Sequence, residues 1–281
     1  LGKILKADLH THSTASDGLN TPTENIILAK KAGLFALGIT DHDSIAGIDE
    51  AIKAGLEQKV EAIPGIEMST VDKGQDVHML GYFLNYQDKE FIRTLTELTR
   101  VRERRNEMMI ERLNEIGIPI TIQEVTAKLR REGAHVGRPH IAEVLIDKGI
   151  IKTMEEAFDL YLGREGKAYV NPPRILPEES IEIIKQAGGV PILAHPGVYD
   201  DDELVVRLIK NGLAGIEAFH PDHNQAGEKK YFDMANRYGI IATAGSDFHG
   251  SRGEEIFHAL IGTKTVNMTI VEEIRDLAGK S

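Results

Sequence analysis

Eleven histidines stand in a chain of 281 residues that contains no cysteine. Any metal chemistry must therefore use imidazoles and carboxylates, a donor set that suits Zn, Mn or Fe. In Asp8-Leu9-His10-Thr11-His12 the two histidines are two apart, and on an extended segment such residues point the same way, so the pair can grip one ion. A lone His-x-His is weak evidence, because an isolated histidine is more often a hydrogen-bonded structural residue. The theme recurs in Thr40-Asp41-His42-Asp43, Gly65-Ile66-Glu67, His78, Ala194-His195 and Ser246-Asp247-Phe248-His249. When nearly every strand carries a potential ligand, the structural reading of each one loses weight.

The elements that must position these groups follow an α/β rhythm. Ile4–Leu9, Ala36–Thr40, Val60–Ile66 and Val77–Leu84 read as strands, and Val190–Ala194, Gly215–Ala218 and Ile240–Ala244 resume the series. Thr21-Pro22-Thr23-Glu24 opens a helix, with Thr at N-cap, Pro at N1 and Glu at N3, and Gly33 stops it. Further helices are expected over Ile45–Leu56, Asp202–Asn211 and Asn224–Tyr238. Strand–helix alternation predicts a parallel sheet or barrel, whose C-terminal face is where active sites are built. Between the two runs, Phe91, Leu95, Leu98, Val101, Met108, Leu113 and Ile116 recur at helical spacing, and Ile122–Arg131, Pro139–Lys148 and Met154–Leu162 are helix-like. Residues 88–170 thus read as a helical insertion, the cap, in a barrel domain made of 1–87 and 171–281.

Composition limits the functional classes. The formal charge of −11 argues against a protein that coats nucleic acid with its whole surface. No apolar run approaches the roughly 20 residues of a membrane span, and no signal-peptide pattern opens the sequence. With the missing cysteines this predicts a cytoplasmic protein without a membrane partner. Oligomeric state is not legible.

The ordered set Asp8-Leu9-His10-Thr11-His12-Ser13, Thr40-Asp41-His42-Asp43, Gly65-Ile66-Glu67, His78, Ala194-His195-Pro196 and Gly245-Ser246-Asp247-Phe248-His249 resembles the polymerase and histidinol phosphatase (PHP) family. Within it, Gly137-Arg138-Pro139-His140 and Phe219-His220-Pro221-Asp222-His223 look like the branch of nucleotide phosphatases and 5′–3′ exoribonucleases. The resemblance implies a distorted seven-stranded (β/α) barrel with two or three divalent ions. It places the first ion on His10, His12, Glu67 and Asp247. Glu67 would bridge to a second on His78 and His195, and Asp17, His42 and His249 would hold a third. Many family members have His where this chain has Asp17, and an oxygen donor there favours Mn or Fe over Zn. His195, Asp247 and His249 are accordingly the expected catalytic residues. Three divalent ions bring six positive charges against three from Glu67, Asp247 and Asp17. The excess would lower the pKa of bound water, and a bridging hydroxide would attack an anionic ester.

The expected substrate is a phosphorylated small molecule, a nucleotide or short RNA. A histidinol-phosphate-type monoester, or a non-catalytic module of the same fold, are the alternatives. Residues 93–138 hold ten Lys and Arg against seven Glu and no Asp. Arg100, Arg102, Arg104 and Arg105 read as a solvated helix face with ion pairs at i,i+4. Arg138, between Gly137 and Pro139 at a helix start, is suited to a phosphate. Lys167 is the second candidate for substrate, and His223 is a candidate proton donor, its alternative role being a structural loop histidine.

Overall fold

The structure is a computed structural model and describes residues 5–252, 255, 256 and 258–279; Ile4, the first residue of the expected opening strand, lies outside them. Strands β1 (Lys6–Asp8), β2 (Ala36–Ile39), β3 (Glu61–Asp72), β4 (Gln75–Tyr82), β5 (Val190–Leu193), β6 (Gly215–Phe219) and β7 (Ile241–Ala244) lie side by side in chain order. The ring nearly closes where the Leu9 N–H donates to the Ala244 carbonyl at 3.1 Å and Thr11 bridges Phe248. β8 (Ser251–Arg252) and β9 (Glu255–Ile256) pair antiparallel apart from the main sheet, while β10 (Val266–Asn267) joins β1 antiparallel. The fold is thus the expected distorted α/β barrel, with one strand added at the seam.

The parallel sheet that alternation predicts is interrupted once. β3 and β4 form an antiparallel hairpin, and β4 meets β5 antiparallel as well. Lys73 and Gly74 at the hairpin tip have φ of 46° and 80°, the left-handed pair whose twist matches a two-residue turn. β3 also runs on to Asp72, so Glu67 sits within the strand and not at its end. Reversal of β4 brings the start of that strand, with His78, to the face where its parallel neighbours end. The Ala194 N–H accordingly donates to the His78 carbonyl at 3.1 Å, which sets His78 beside His195.

The helices form where their caps and apolar spacing dictate. α1 (Pro22–Lys31) carries the full capping box: the Thr21 side chain accepts from the Glu24 N–H, and the Glu24 carboxylate accepts from the Thr21 N–H. α2 (Ile48–Gln58) starts three residues later than Ile45. Then come α3 (Lys89–Glu115), α4 (Ile122–Thr126), α5 (Arg138–Asp147) and α6 (Met154–Ala157), which passes into a π-helical turn at Phe158–Leu162. α4 ends five residues short of Arg131. α7 (Pro177–Gln186), α8 (Asp202–Lys210), α9 (Gln225–Tyr238) and α10 (Met268–Ala278) complete the chain.

The 27-residue α3 ties the two halves together. Phe91 and Leu95 near its start pack into the barrel's core with Val77, Met79 and Ile181. Met109, Ile110 and Leu113 near its end pack into a different core, with Val125, Ile141 and Leu145. Between these apolar ends the same face buries Thr99, Arg102, Arg105 and Asn106. A polar belt in the middle of a buried helix face is costly unless something receives it.

Candidate active site

The β1 strand ends at Asp8, and the extended segment beyond it buries both His10 and His12 completely. Asp8 anchors that segment, accepting from the backbone N–H groups of His10, Ser246 and Gly262. Burial raises its pKa to about 6 against the pull of those donors. Gly245 lets the β7 end pass so closely that a Cβ there would lie 2.1 Å from the His10 Cβ. Asp41 accepts from the Ser13 N–H, the Ser13 hydroxyl and the Ser16 hydroxyl, which fixes the loop carrying Asp17. Asp43, His195 and Asp247 all have positive φ, at 49°, 27° and 50°. Non-glycine residues hold such angles only where their surroundings enforce them.

Glu67 is the hub. Its Oε2 lies 3.4 Å from His10 Nε2, 3.2 Å from His12 Nε2 and 3.0 Å from His42 Nδ1. Its Oε1 lies 2.9 Å from His78 Nδ1 and 3.1 Å from His195 Nε2. Asp247 Oδ1 approaches His10 and His12 at 3.3 and 3.1 Å. On the far side of His12, Asp17 faces His249 Nε2 at 3.4 Å and His42 Nε2 at 3.9 Å. Two groupings follow, His10–His12–Glu67–Asp247 and His12–Asp17–His42–His249, with His78 and His195 sharing the other oxygen of Glu67.

These groups fit divalent cations. His12 Nδ1, Asp17 Oδ1, His42 Nδ1, Glu67 Oε2 and Asp247 Oδ1 are buried and have no hydrogen-bond partner. Orphaned polar atoms of this kind are rare, and here they converge. His10 Nε2 and His12 Nε2 are 3.1 Å apart. The Glu217 carboxylate claims the proton of His10 Nδ1, at 3.1 and 3.2 Å, so the Nε2 lone pair faces inward. Burial opposes charge on His12, yet the carboxylates of Asp247 and Glu67 beside it prevail and hold its pKa at about 10. Burial likewise resists ionisation of Glu67, but His42, His78 and His10 draw its carboxyl well below the ordinary range. Divalent ions would take the place of those shared protons.

Residues 8–164 match the PHP domain family. The chain belongs to the PHP family. It is 34% identical over 254 residues to a 5′-3′ exoribonuclease Rnm of Salmonella typhimurium, covering 86% of this chain and 84% of that one. A phosphoribosyl 1,2-cyclic phosphate 1,2-diphosphodiesterase of Eggerthella lenta is 31% identical over 88% of this chain and 95% of its own. A 3′,5′-nucleoside bisphosphate phosphatase of Chromobacterium violaceum is 32% identical over 89% and 90%. The solved structure of an amidohydrolase from the same organism, with bound sulfate and no metal, superposes with a TM-score of 0.85 over 96% of both chains at 30% identity. Family, fold and clustered donors together make this PHP protein a metal-dependent phosphoesterase.

A cavity of about 300 Å³ opens over the clusters, and its other wall is cationic: Arg102 and Arg105 of α3 and Arg138 of α5 line it. The expectation of a solvated arginine face therefore fails for half of that group. Arg100 and Arg104 are exposed and pair with Glu97 and Glu107 at i,i+3, whereas Arg102 and Arg105 are 7% and 3% exposed. Arg102 donates to Asp43 at 2.8 Å and to the Ser69 hydroxyl at 3.0 Å. Arg138 and Arg174 both pair with Asp76, the former at 2.9 Å. Arg105 has no carboxylate within ion-pair reach among the described residues. Its Nε is buried without a partner, and its Nη2 has only the Asn106 amide oxygen at 3.5 Å. Burial and the like charges of Arg138, Arg102 and Arg174 push its pKa well below that of a free arginine.

Two sequence candidates lie elsewhere. Lys167 is exposed and does not line the cavity; its backbone N–H donates to the Leu160 carbonyl at 3.0 Å. His223 accepts from the Gly197 N–H at Nε2 and hydrogen-bonds the Ala218 carbonyl through Nδ1, so both ring nitrogens are occupied in holding a loop. Residues that sequence reasoning passed over support the centre instead. Besides Glu217, the Asp222 N–H donates to His220 Nδ1, which leaves His220 Nε2–H to face Asp247 Oδ2 at 3.3 Å. Tyr199 accepts from the His78 N–H at 2.8 Å and lies 3.1 Å from His195 Nδ1. His258 spans Asp222 at 3.1 Å and Asp247 at 3.4 Å. Against the cost of burial, Asp247 and Asp222 lift its pKa to about 9.

Proposed function

We propose that this PHP phosphoesterase cleaves a phosphate ester from a nucleotide or short RNA end that carries a second phosphate. The observation that supports the reading is Arg105, a buried guanidinium lining the cavity without a carboxylate partner among the described residues. A second phosphate completes its hydrogen bonding, with Arg102 and Arg138 alongside. The three relatives all act on phosphorylated ribose or RNA by name, which is consistent with this assignment.

In this reading His10, His12, Glu67 and Asp247 hold one ion. Glu67 shares a second with His78 and His195, and Asp17, His42 and His249 hold a third, each being Mn, Fe or Zn. When bound, such ions supply Lewis-acid polarisation of the phosphate and a nucleophile from water at neutral pH. Glu217 keeps the proton on His10 Nδ1, and Tyr199 Oη, 3.1 Å from His195 Nδ1, would accept the Nδ1 proton of a metal-bound His195, so that each ring would offer Nε2 as a lone pair. His220 holds Asp247 by its outer oxygen. His195, Asp247 and His249 thus stand beside the reacting phosphate while the arginines fix the other end of the substrate.

The test compares wild type with Arg105→Met on p-nitrophenyl phosphate and on a 3′,5′-bisphosphorylated nucleoside. A charged hydrogen bond of about 1.5–3 kcal/mol should appear as a roughly ten- to hundred-fold greater loss of kcat/KM on the bisphosphate. Equal loss on both substrates would sink the second-phosphate reading.

A further inference from the structure

Beside the metal cavity lies a second chamber of about 370 Å³ with a different chemistry. Its apolar walls are Leu19, Pro139, Met154, Phe158 and Ile256, and among the described residues no Lys or Arg lines it. Two carboxylates, Glu155 and Asp159, stand in its lining; both are exposed and neither has a hydrogen bond or ion pair among the described residues. The chambers adjoin, since Asp17, Pro139, Phe158, His249 and His258 line both. Phe158 also carries the Arg138 guanidinium 5.5 Å from its ring centroid, so the aromatic ring joins the cationic wall to the apolar chamber.

At the end of this space formed by Glu155 and Asp159 two carboxylates repel a phosphate, which is better held on the metal side, where His258 and the arginines stand. Water gains little from apolar walls. A flat apolar ring with N–H groups on its edge satisfies both features at once. It buries its faces against Phe158, Pro139, Met154 and Leu19, and its edge donates to Glu155 and Asp159, which as carboxylates can only accept.

We propose that this chamber is a nucleobase subsite that favours bases presenting adjacent N–H donors, guanine foremost, over uracil. Guanine offers its ring N1–H and exocyclic amine side by side, as a carboxylate requires. Uracil flanks its single N–H with two carbonyl oxygens, which the carboxylates repel. The assignment rests on the phosphoesterase reading, and it separates a nucleoside substrate from a base-free phosphoribosyl one, a distinction the metal clusters and the arginines cannot make.

The experiment is a two-way comparison of kcat/KM. Ribose 5-phosphate, uridine 5′-monophosphate and guanosine 5′-monophosphate form one row, and the corresponding compounds with a second ribose phosphate form the other. Comparing rows at constant base reads the arginine site; comparing columns at constant phosphate reads the chamber, so either can fail alone. Guanosine compounds should exceed base-free ones by about tenfold or more within a row. Glu155→Gln combined with Asp159→Asn, both at exposed positions, should bring the guanosine-to-uridine ratio close to one. Phe158→Ala should lower the nucleoside-to-ribose ratio. Base-free and guanosine compounds turned over equally by wild type would overturn the subsite, and a base preference unchanged in the double variant would overturn the role of the carboxylates.

Discussion

Arg105 is held in the folded state at a cost. A buried guanidinium flanked by like charges and lacking a carboxylate is destabilising until an anion arrives. Arg105→Met keeps most of the side chain's length and removes the charge, so the ligand-free variant should be more stable than wild type by about 1–3 kcal/mol. Inorganic phosphate should raise the melting temperature of wild type more than that of the variant. Calorimetry with and without phosphate measures both; a variant less stable than wild type would show that the charge is already compensated. A second residue-scale expectation concerns Glu217, which is fully buried and reaches His10 Nδ1 and the His195 N–H. Glu217→Gln should weaken metal binding by about ten- to a hundred-fold, since the outer partner of a ligating imidazole fixes its tautomer. Metal titration followed by calorimetry reads this directly, and an unchanged affinity would refute it. Much of the centre is legible in sequence because its residues come in short runs such as His10-Thr11-His12 and Asp247-Phe248-His249. Glu217 is not, because a lone Glu in Gly215-Ile216-Glu217-Ala218-Phe219 looks like any solvent-facing strand position. Arg102 and Arg105 do carry a signal, which the likeness of the four arginines conceals: they stand at helical spacing from Phe91, Leu95, Met109 and Leu113, on the apolar face of α3, whereas Arg100 and Arg104 do not.

At the scale of elements, α5 begins with a titratable cap. His140 Nδ1 accepts from the Gly137 N–H at 2.9 Å, and burial, with Arg102 and Arg130 nearby, lowers its pKa from 6.5 to about 4. The fold therefore prefers neutral His140. That contribution is fully present above pH 6.5, where the unfolded chain is also neutral, and is lost as pH falls towards 4. The difference is worth roughly 3 kcal/mol at most. Denaturant unfolding of metal-free protein should show a shallower decline from pH 6.5 to pH 4 in His140→Gln than in wild type, because Gln retains the cap acceptor without titrating. Parallel declines would remove His140 from the account. Elements with local signals are the ones that sequence predicts well: Thr21-Pro22-Thr23-Glu24 announces α1, and the spacing from Phe91 to Ile116 announces α3. The reversed β4 leaves no such mark, because the alternation of a strand reads the same whichever way it runs. The extra strand β10 has two residues, too few to show a period.

Across the whole molecule, the unpartnered ligand atoms at the barrel mouth predict that bound metal stabilises the fold. Purified protein should carry two or three Mn, Fe or Zn ions per chain, by elemental analysis. Chelation should lower the melting temperature, and each ion held at a thousandfold excess over its dissociation constant contributes about 4 kcal/mol. A melting temperature indifferent to chelator would mean that the clusters are satisfied without ions. The seam between β1 and β7 carries a consequence of another kind. His10 and His12 are made well over two hundred residues before Asp247 and His249, and the Asp247 N–H then donates to the His10 carbonyl at 2.9 Å. A nascent chain therefore offers loose imidazoles but no finished four-donor pocket. Tight loading waits until the segment carrying Asp247 has been made and has docked beside β1.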